Sequence, residues 1–160
     1  MHTYFTKTFL KTVYVLTAAA ILNTAAIASD APEKVQIVDG MTIYFGVMPA
    51  EIIQGHPNEH PEKKMHGGVP KKGHRDHILV ALFDKDTGQR IEDATVHGIL
   101  VEPGLRKQEK NLEPMKIAGT ITYGNYFDMP DNSTYHIKIE VLRTGKPVIK
   151  AKFTHRHFEN

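Results

Sequence analysis

The feature that most limits how this chain can fold is a series of short segments in which apolar and polar residues alternate. The clearest of them is 135–142 (YHIKIEVL), where every second residue is apolar or aromatic. A period of two predicts a strand that buries one face against a core. No sustained helical period accompanies these segments. Strands are predicted at 35–48 (two strands), 77–83, 94–102, 115–127 (one strand, or two broken at Gly119 and Gly124), 135–142 and 147–158.

Turn signals separate the predicted strands. Asp39-Gly40, 84–88 (DKDTG), 130–133 (PDNS) and 144–146 (TGK) are rich in short polar residues, glycine and proline. These residue types suit the backbone angles of tight turns. About seven short strands joined by such turns predict an all-β, antiparallel sandwich. For the charged segment 105–114 the pattern does not decide between a ragged edge strand and a short helical turn.

Residues 1–28 predict a secretory signal peptide. A basic start is followed by a mostly apolar run, 13–28, in which Ala26 and Ala28 occupy the positions that a signal peptidase reads. A transmembrane anchor would need about 20 predominantly apolar residues, and this run is shorter. Cleavage after Ala28 leaves 29–160 as a single β-sandwich domain that is periplasmic or secreted. An uncleaved membrane anchor is the competing interpretation.

Charge and composition exclude several functions. Residues 1–28 hold two lysines and no acidic residue. Removal of this segment leaves 18 of the 20 basic residues, which equals the number of acidic residues, 18. A domain without net positive charge is a poor candidate for nucleic-acid binding. The absence of cysteine excludes thiol catalysis and cysteine-based zinc sites. A domain of this size buries enough core to fold without disulfides.

A long loop at 49–77 carries the strongest sign of function. It contains five of the ten histidines, and its prolines and glycines exclude a continuous helix or a central strand. Imidazole is the commonest protein ligand for metals, and a methionine thioether favours copper. We expect Met65, His66, His74 and His77 to bind a metal. A solvated polar lid, whose histidines bind nothing, is the alternative.

A second pair of candidate ligands lies in the last predicted strand. His155 and His157 are two residues apart, so both side chains point to the same face of a strand. They continue the apolar face that includes Phe153, and we expect them at the rim of the sandwich, where a metal can be held and still be reached. Two terminal histidines without a metal are the alternative. Together with the loop they predict one metal site of six residues: Met65, His66, His74, His77, His155 and His157.

The remaining candidates indicate no catalysis. His97 is expected to be half-buried and hydrogen-bonded, and His136 to face solvent because it alternates with inward residues. Ser29 and Ser133 are the two serines of the mature chain, and neither lies in a nucleophile-elbow context. The acidic residues are scattered over turns and form no pair suited to acid–base chemistry. We therefore expect a binding protein and not an enzyme.

Two stretches resemble small bacterial immunoglobulin-like modules. The segment 84–96 (DKDTGQRIEDATV) is similar to their signature D-x-x-T-G-x-P-V-x-D-A-x-V, and 123–148 (YGNYFDMPDNSTYHIKIEVLRTGKPV) is similar to their closing half. The chain thus resembles the periplasmic YtkA/FixH-like group and, more distantly, CopC-like copper-handling sandwiches. The resemblance implies an immunoglobulin-like fold, a periplasmic location and copper handling.

The sequence therefore predicts a secreted or periplasmic protein that binds a transition metal for carriage or buffering. A copper ion is expected, with zinc or another divalent metal as the alternative. A periplasmic partner protein is a further expectation, whereas nucleic acid and, after signal cleavage, membrane are not expected partners. The competing hypothesis is a metal-free module that docks a partner protein through the loop and an open strand edge. A hydrolase is a third hypothesis, and it would need a buried carboxylate or a Ser–His pair in a cleft.

Overall fold

The computed structural model describes residues 34–55, 57, 63, 67–70, 73–102, 104, 107–117, 119–130 and 132–157. The predicted signal peptide lies outside these residues, as do Met65 and His66 of the predicted metal site. No helix within the described ranges is both long and apolar enough to cross a membrane. The described residues form these elements: β1 (Val35–Val38), β2 (Met41–Pro49), α1 (Ala50–Gln54), β3 (Arg75–Asp84), β4 (Thr95–Val101), β5 (Lys107–Ile117), β6 (Thr120–Asp128), β7 (Ser133–Leu142) and β8 (Ile149–His157).

The strands form one antiparallel sheet that folds over on itself. Their order is β1-β2-β3-β6-β5-β4-β7-β8. Strand β5 allows the fold-over, because its first half (107–112) pairs with β4 and its second half (113–117) pairs with β6. We call β1, β2, β3 and β6 the first sheet, and β4, β7 and β8 the second sheet. The predicted all-β, antiparallel, immunoglobulin-like sandwich is confirmed, with eight strands in the described residues where about seven were expected.

Strand β5 confirms the strand that was one expectation for the segment 105–114, over its described residues 107–114, but not the edge position. The charges and the proline suggested an exposed edge or a helical turn, but β5 has a partner strand on either side. Its side chains Leu112 and Met115 are buried while most of its charged residues are exposed. The edge strands are β1 and β8. They approach each other where the Gln36 side-chain amide donates to the Lys152 carbonyl oxygen at 2.5 Å and accepts from the Lys152 N–H at 3.2 Å.

Two predicted turns form as expected. Asp39 and Gly40, between β1 and β2, have φ angles of 47° and 78°, and a two-residue type I′ turn requires positive φ at both positions. After β3, the Asp84 carboxylate accepts hydrogen bonds from the backbone N–H of Thr87 at 2.8 Å and of Asp86 at 3.1 Å. The hydrogen bonds from Thr87 are the main reason that the pKa of Asp84 lies below its usual value.

The main core lies between the inner faces of the two sheets. The alternation predicted for β7 is confirmed, because residues 135, 137, 139 and 141 are buried and the residues between them are more exposed. In β3, Ile78, Val80 and Leu82 point into the same core and are fully buried. Residues at the strand ends that continue this two-residue alternation therefore also point toward the core.

A smaller apolar cluster covers part of the outer face of the first sheet. Ala50 and Ile53 of α1 pack with Tyr126 of β6, and the partly buried Met48 and Val69 complete the cluster. The segment predicted as a long loop therefore begins with a five-residue helix. This helix gives the first sheet a second buried surface, separate from the main core.

Gly124 in β6 has no space for a side chain. A Cβ at this position would lie 2.6 Å from Cε of Met115, 2.7 Å from Nε2 of His77 and 2.9 Å from the carbonyl oxygen of Ile78. We predict that Gly124→Ala lowers the free energy of unfolding by about 1–3 kcal/mol, because an overpacked site must shift its neighbours. Urea denaturation followed by circular dichroism measures the change.

Gly46→Ala is the matched control for this substitution. A Cβ on Gly46 would meet the Cβ of Leu79 at 3.9 Å, which is an ordinary van der Waals contact. The control should change the free energy of unfolding by less than about 1 kcal/mol. An equal loss in both variants would show that crowding at Gly124 is not the cause.

Candidate metal centre

Three side chains with metal-binding atoms meet at one end of the sandwich. Asp76 lies in β3, whereas His155 and His157 lie in β8. One ligand atom from each of the three residues lies within 4.8 Å of the other two. We call these three residues the rim cluster. It links the first sheet to the second.

The pleat of each strand explains why these side chains converge. Asp76 is two residues before Ile78, so its side chain points to the inner face of β3. In the β7–β8 ladder, His155 is the register partner of Tyr135, which is fully buried in the main core. Residues opposite each other in an antiparallel pair share a face. His155 and His157 therefore point inward at the end of β8.

The carboxylate of Asp76 is almost completely removed from water. The residue is 3% exposed, and its Oδ2 lies 2.7 Å from Nδ1 of His157. Burying a carboxylate costs free energy unless hydrogen bonds or a positive charge compensate. The close approach of the His157 ring brings one polar partner to this carboxylate, and a cation bound between the two groups would also compensate its charge.

The surroundings of His155 favour its neutral form. Burial is the main cause that lowers the pKa of His155, and the neighbouring His157 and Lys34 lower it further. The centroids of the two imidazole rings are 6.0 Å apart, and the ring planes make an angle of 81°. Because neutral imidazole is the metal-binding form, His155 is available as a ligand at neutral pH.

The rim cluster offers two nitrogen ligands and one oxygen ligand. Imidazole suits copper, zinc, iron and nickel, and a carboxylate is a common companion ligand. Three protein ligands leave a further coordination position for water or for an incoming ligand. His155 and His157 are both only partly buried, so an ion bound there would remain within reach of solvent.

The sequence predicted two members of the rim cluster and missed the third. The shared inward face of His155 and His157 is observed, while their role as ligands remains a prediction. Asp76 was absent from the predicted set. The available signal was its position in 74–77 (HRDH), two residues before an inward-facing apolar residue. The pairing of Asp76 with His157 depends on the approach of the two sheets, which no local pattern reveals.

His77 lies on the opposite face of β3 from the rim cluster. It is fully buried and stacks on Tyr126, with ring centroids 4.6 Å apart. The predicted convergence of His77 with His155 and His157 is therefore not observed, because successive residues of a strand point to opposite faces. His77 belongs instead to the outer face of the first sheet, next to the small apolar cluster.

A methionine lies beside His77 on this outer face. Cε of Met115 and Nε2 of His77 lie 2.6 and 2.7 Å from the position that a Cβ on Gly124 would occupy. The methyl group of Met115 and the ring of His77 therefore both lie over Gly124. Met115 was expected only to pack, and its full burial agrees with a packing role. The residue nevertheless brings a thioether to the same buried surface as a histidine.

The other predicted loop ligands do not join the rim cluster in the described part of the chain. His74 is exposed just before β3, and its carbonyl oxygen accepts a hydrogen bond from the N–H of Met129 at 2.8 Å. The ligand atoms of His74 are not among those of the cluster. Ligation by Met65 and His66, which lie outside the described residues, stays a prediction.

Two further histidines occupy the environments that the sequence predicted. His97 is half-buried, with Nδ1 2.9 Å from Oδ1 of Asn111 and Nε2 3.8 Å from a carboxylate oxygen of Glu109. His136 is exposed on the outer face of β7. Neither residue belongs to the rim cluster.

The fold is shared with solved structures. A DUF4426 family protein of Pseudomonas aeruginosa aligns with a TM-score of 0.60 and 17% identity, over 80% of this chain and 99% of that chain. A copper-bound variant of FetP from uropathogenic Escherichia coli gives 0.58 and 14%, over 79% and 95% of the two chains. A copper-bound variant of P19 from Campylobacter jejuni gives 0.61 and 12%, over 79% and 96%. No protein-family model and no curated protein matches the sequence.

The lowered pKa of His155 predicts how the stability of the metal-free protein depends on pH. Because the unfolded chain binds this proton more readily than the folded protein, stability should fall as the pH drops below the ordinary histidine value of 6.5. The loss should continue until the lowered pKa is passed, and above the ordinary value His155 should contribute no pH dependence. Urea denaturation in the presence of a chelator, between about pH 7.5 and 5.5, measures this slope.

The substitution His155→Asn should make the slope shallower. His136→Asn is the control, because the side chain of His136 is exposed. A slope that is the same in the wild type and in His155→Asn would contradict the assignment of the effect to His155.

Proposed function

We propose that this chain is a periplasmic protein that carries or buffers a transition metal, with copper as the ion. The observation that carries the proposal is the rim cluster, where a buried carboxylate and two partly buried imidazoles lie within 4.8 Å of one another. A buried carboxylate favours partners that compensate its charge, and a cation held by the two imidazoles is such a partner. Imidazole nitrogens together with a carboxylate oxygen are ligands that copper and zinc accept.

The solved structures support copper as the ion and the periplasm as the location. Structures of FetP and P19 are described as copper-bound, and one of P19 as copper-reconstituted. FetP was also recombinantly expressed in the periplasm of Escherichia coli. The predicted signal peptide points to the same compartment. At 11–15% identity the ligands must be argued from the side chains of this chain.

The position of the rim cluster suits carriage better than catalysis. A carrier has to hold an ion and then pass it to another protein, so its ligands must be reachable. His155 and His157 are partly exposed, and a three-ligand site leaves room for a ligand from a receiving protein. We therefore propose exchange of the ion as the role of this site, without a catalytic reaction.

The outer face of β3 offers a position for copper in its reduced form. Copper(I) prefers soft ligands such as a thioether, and Met115 lies beside His77 there. The predicted loop ligands Met65 and His66 would supply a further thioether and imidazole. In this proposal the rim cluster takes a divalent ion, while copper(I) binds on the outer face.

A metal-free interaction module remains the second candidate function. The observation that favours it is the basic outer surface of the second sheet, where Lys138 of β7 lies opposite Lys152 of β8. The open strand edge that this hypothesis requires is partly occupied in β8, because the Gln36 side chain of β1 forms hydrogen bonds with the backbone of Lys152.

Competition titrations of untagged residues 29–160 with copper(I), copper(II) and zinc(II) test the metal proposal. We expect one tight copper(II) site, and we expect both His155→Ala/His157→Ala and Asp76→Asn to weaken it about 10- to 100-fold, because ligands or their charge are lost. Met115→Leu and Met65→Ala/His66→Ala should weaken copper(I) binding and leave copper(II) binding unchanged. Met115→Leu keeps the side-chain volume and removes the sulfur.

His136→Ala is the matched control for these titrations, because it removes an exposed histidine outside the rim cluster. Its copper(II) affinity should equal that of the wild type. Weak binding at several sites, unchanged in the variants of the rim cluster, would show that the histidines bind metal adventitiously. The metal-free interaction module would then become the leading hypothesis.

The affinity for copper(II) should fall below about pH 6, because protons compete with the metal for the imidazole nitrogens. The lowered pKa of His155 places its own protonation below the ordinary range. The apparent dissociation constant, measured between about pH 5 and 7.5 with a pH-calibrated competitor, reports this dependence. A flat profile would rule out ligation by histidine.

A further inference from the structure

The outer surface of the second sheet is strongly basic. It consists of the side chains of β4, β7 and β8 that point away from the core, together with those at the start of β5, and we call it the basic face. Its basic residues outnumber its acidic residues by five to two. They are Lys107, Lys138, Lys150, Lys152 and Arg156, with Glu109 and Glu140 between them. Because basic and acidic residues are equal in number over 29–160, the rest of that segment has an excess of acids.

Two lysines lie side by side in the middle of the basic face. Lys138 of β7 is the register partner of Lys152 of β8, and like charges directly opposite each other destabilise a sheet. Glu140 compensates in part, at 2.6 Å from Nζ of Lys138 and 3.7 Å from Nζ of Lys150. No ion pair with a described residue neutralises Lys152 or Arg156.

A shallow groove crosses this face between the lysines. Its volume is about 460 Å³, and Lys107, Lys138 and Lys152 line it. Its apolar side chains include Ile99, which is 8% exposed, and Val101, which is 38% exposed. The groove therefore combines an apolar floor with lysine walls. Lys107 is paired with Glu109 and Lys138 with Glu140, so Lys152 carries the charge that no described ion pair offsets.

Protection of a sheet edge explains only part of this arrangement. Lysines on an edge strand discourage pairing with other chains, which accounts for Lys150 and Lys152 on β8. It does not account for Lys138, because β7 lies between β4 and β8. Nor does it account for Lys107, because β5 lies between β6 and β4.

We propose that the basic face docks a partner protein through an acidic segment whose carboxylates meet Lys107, Lys138 and Lys152. Charge complementarity argues for this occupant, because carboxylates placed between Lys138 and Lys152 would relieve the repulsion between them. The apolar floor at Ile99 and Val101 fits small apolar side chains that alternate with the carboxylates. The interspersed Glu109 and Glu140 would repel a continuous row of phosphates, which disfavours nucleic acid.

The basic face lacks the features of a membrane-binding surface. Proteins that lie on membranes combine basic residues with large apolar side chains that enter the lipid. Here Ile99 is nearly buried, and Val101 and Leu142 are less than half exposed. An anionic membrane is therefore the disfavoured occupant.

The basic face ends next to the rim cluster. Arg156 lies between His155 and His157 in β8 and points to the opposite face. A partner docked here would sit beside the rim cluster, where an ion could pass between the two proteins. The docking itself does not rest on the proposed metal function and is tested without metal.

Fluorescence anisotropy with a labelled octaglutamate peptide tests the proposal on the protein expressed as the full chain and purified as processed, in the presence of a chelator. At about 20 mM salt we expect saturable binding that weakens at about 200 mM, because salt screens exposed charges. Lys138→Gln/Lys152→Gln should weaken binding at least about threefold, as expected for two exposed charge pairs. Lys138→Glu/Lys152→Glu should abolish it.

Lys85→Gln/Lys146→Gln is the matched control, because it removes the same charge from exposed lysines in turns of the chain. It should bind like the wild type, and circular dichroism should show all variants to be folded. Equal weakening by the control pair, or no binding at low salt, would overturn the proposal. Binding to phosphatidylglycerol vesicles that depends on Lys138 and Lys152, without binding to octaglutamate, would assign the face to a membrane instead.

Discussion

The contact between Asp76 and His157 is the interaction on which the organisation of this end of the molecule depends. It joins the start of β3 to the end of β8, and so it links the two sheets where the apolar core runs out. The carboxylate is 3% exposed and its Oδ2 lies 2.7 Å from the ring nitrogen of His157. A buried carboxylate needs a hydrogen-bond donor or a cation. An imidazole beside the carboxylate and a bound metal ion would both compensate its charge, so the same contact serves the fold and the proposed metal site.

The two-residue period of the strands separates three surfaces that are close in sequence. In β3, Asp76 points to the inner face and His77 to the outer face, although the residues are adjacent. In β8, His155 and His157 point inward while Arg156, between them, points to the basic face. The side chains of the rim cluster, the buried imidazole of His77 and the positive charge of Arg156 are thus distributed over different faces of the same two strands. A shift of one residue in the register of either strand would exchange these positions.

The alternating pattern and the turns could be read from the sequence, whereas contacts between distant strands could not. The inward face of β7, the turn at Asp39-Gly40 and the shared face of His155 and His157 all follow from local geometry. The position of β5 between two sheets depends on which strands it pairs with, and its charged composition indicated an edge instead. Asp76 was missed for the same reason, because its partner His157 is contributed by another sheet. His77 is separated from that pair because successive residues of a strand point to opposite faces, and Asp76 takes the inner one.

The distance along the chain between Asp76 and His157 distinguishes a folded metal site from a histidine-rich sequence. Histidines that are close in a loop can bind a metal in the unfolded chain, where no packing is required. The rim cluster combines residues about 80 positions apart, and the ordering of the intervening strands brings them together. A metal bound by this cluster therefore binds the folded state in preference to the unfolded state, and its binding free energy adds to the stability of the fold. The likeness in fold to copper-bound proteins cannot make this distinction, because a scaffold alone specifies no ligands. The side chains of β3 and β8 can.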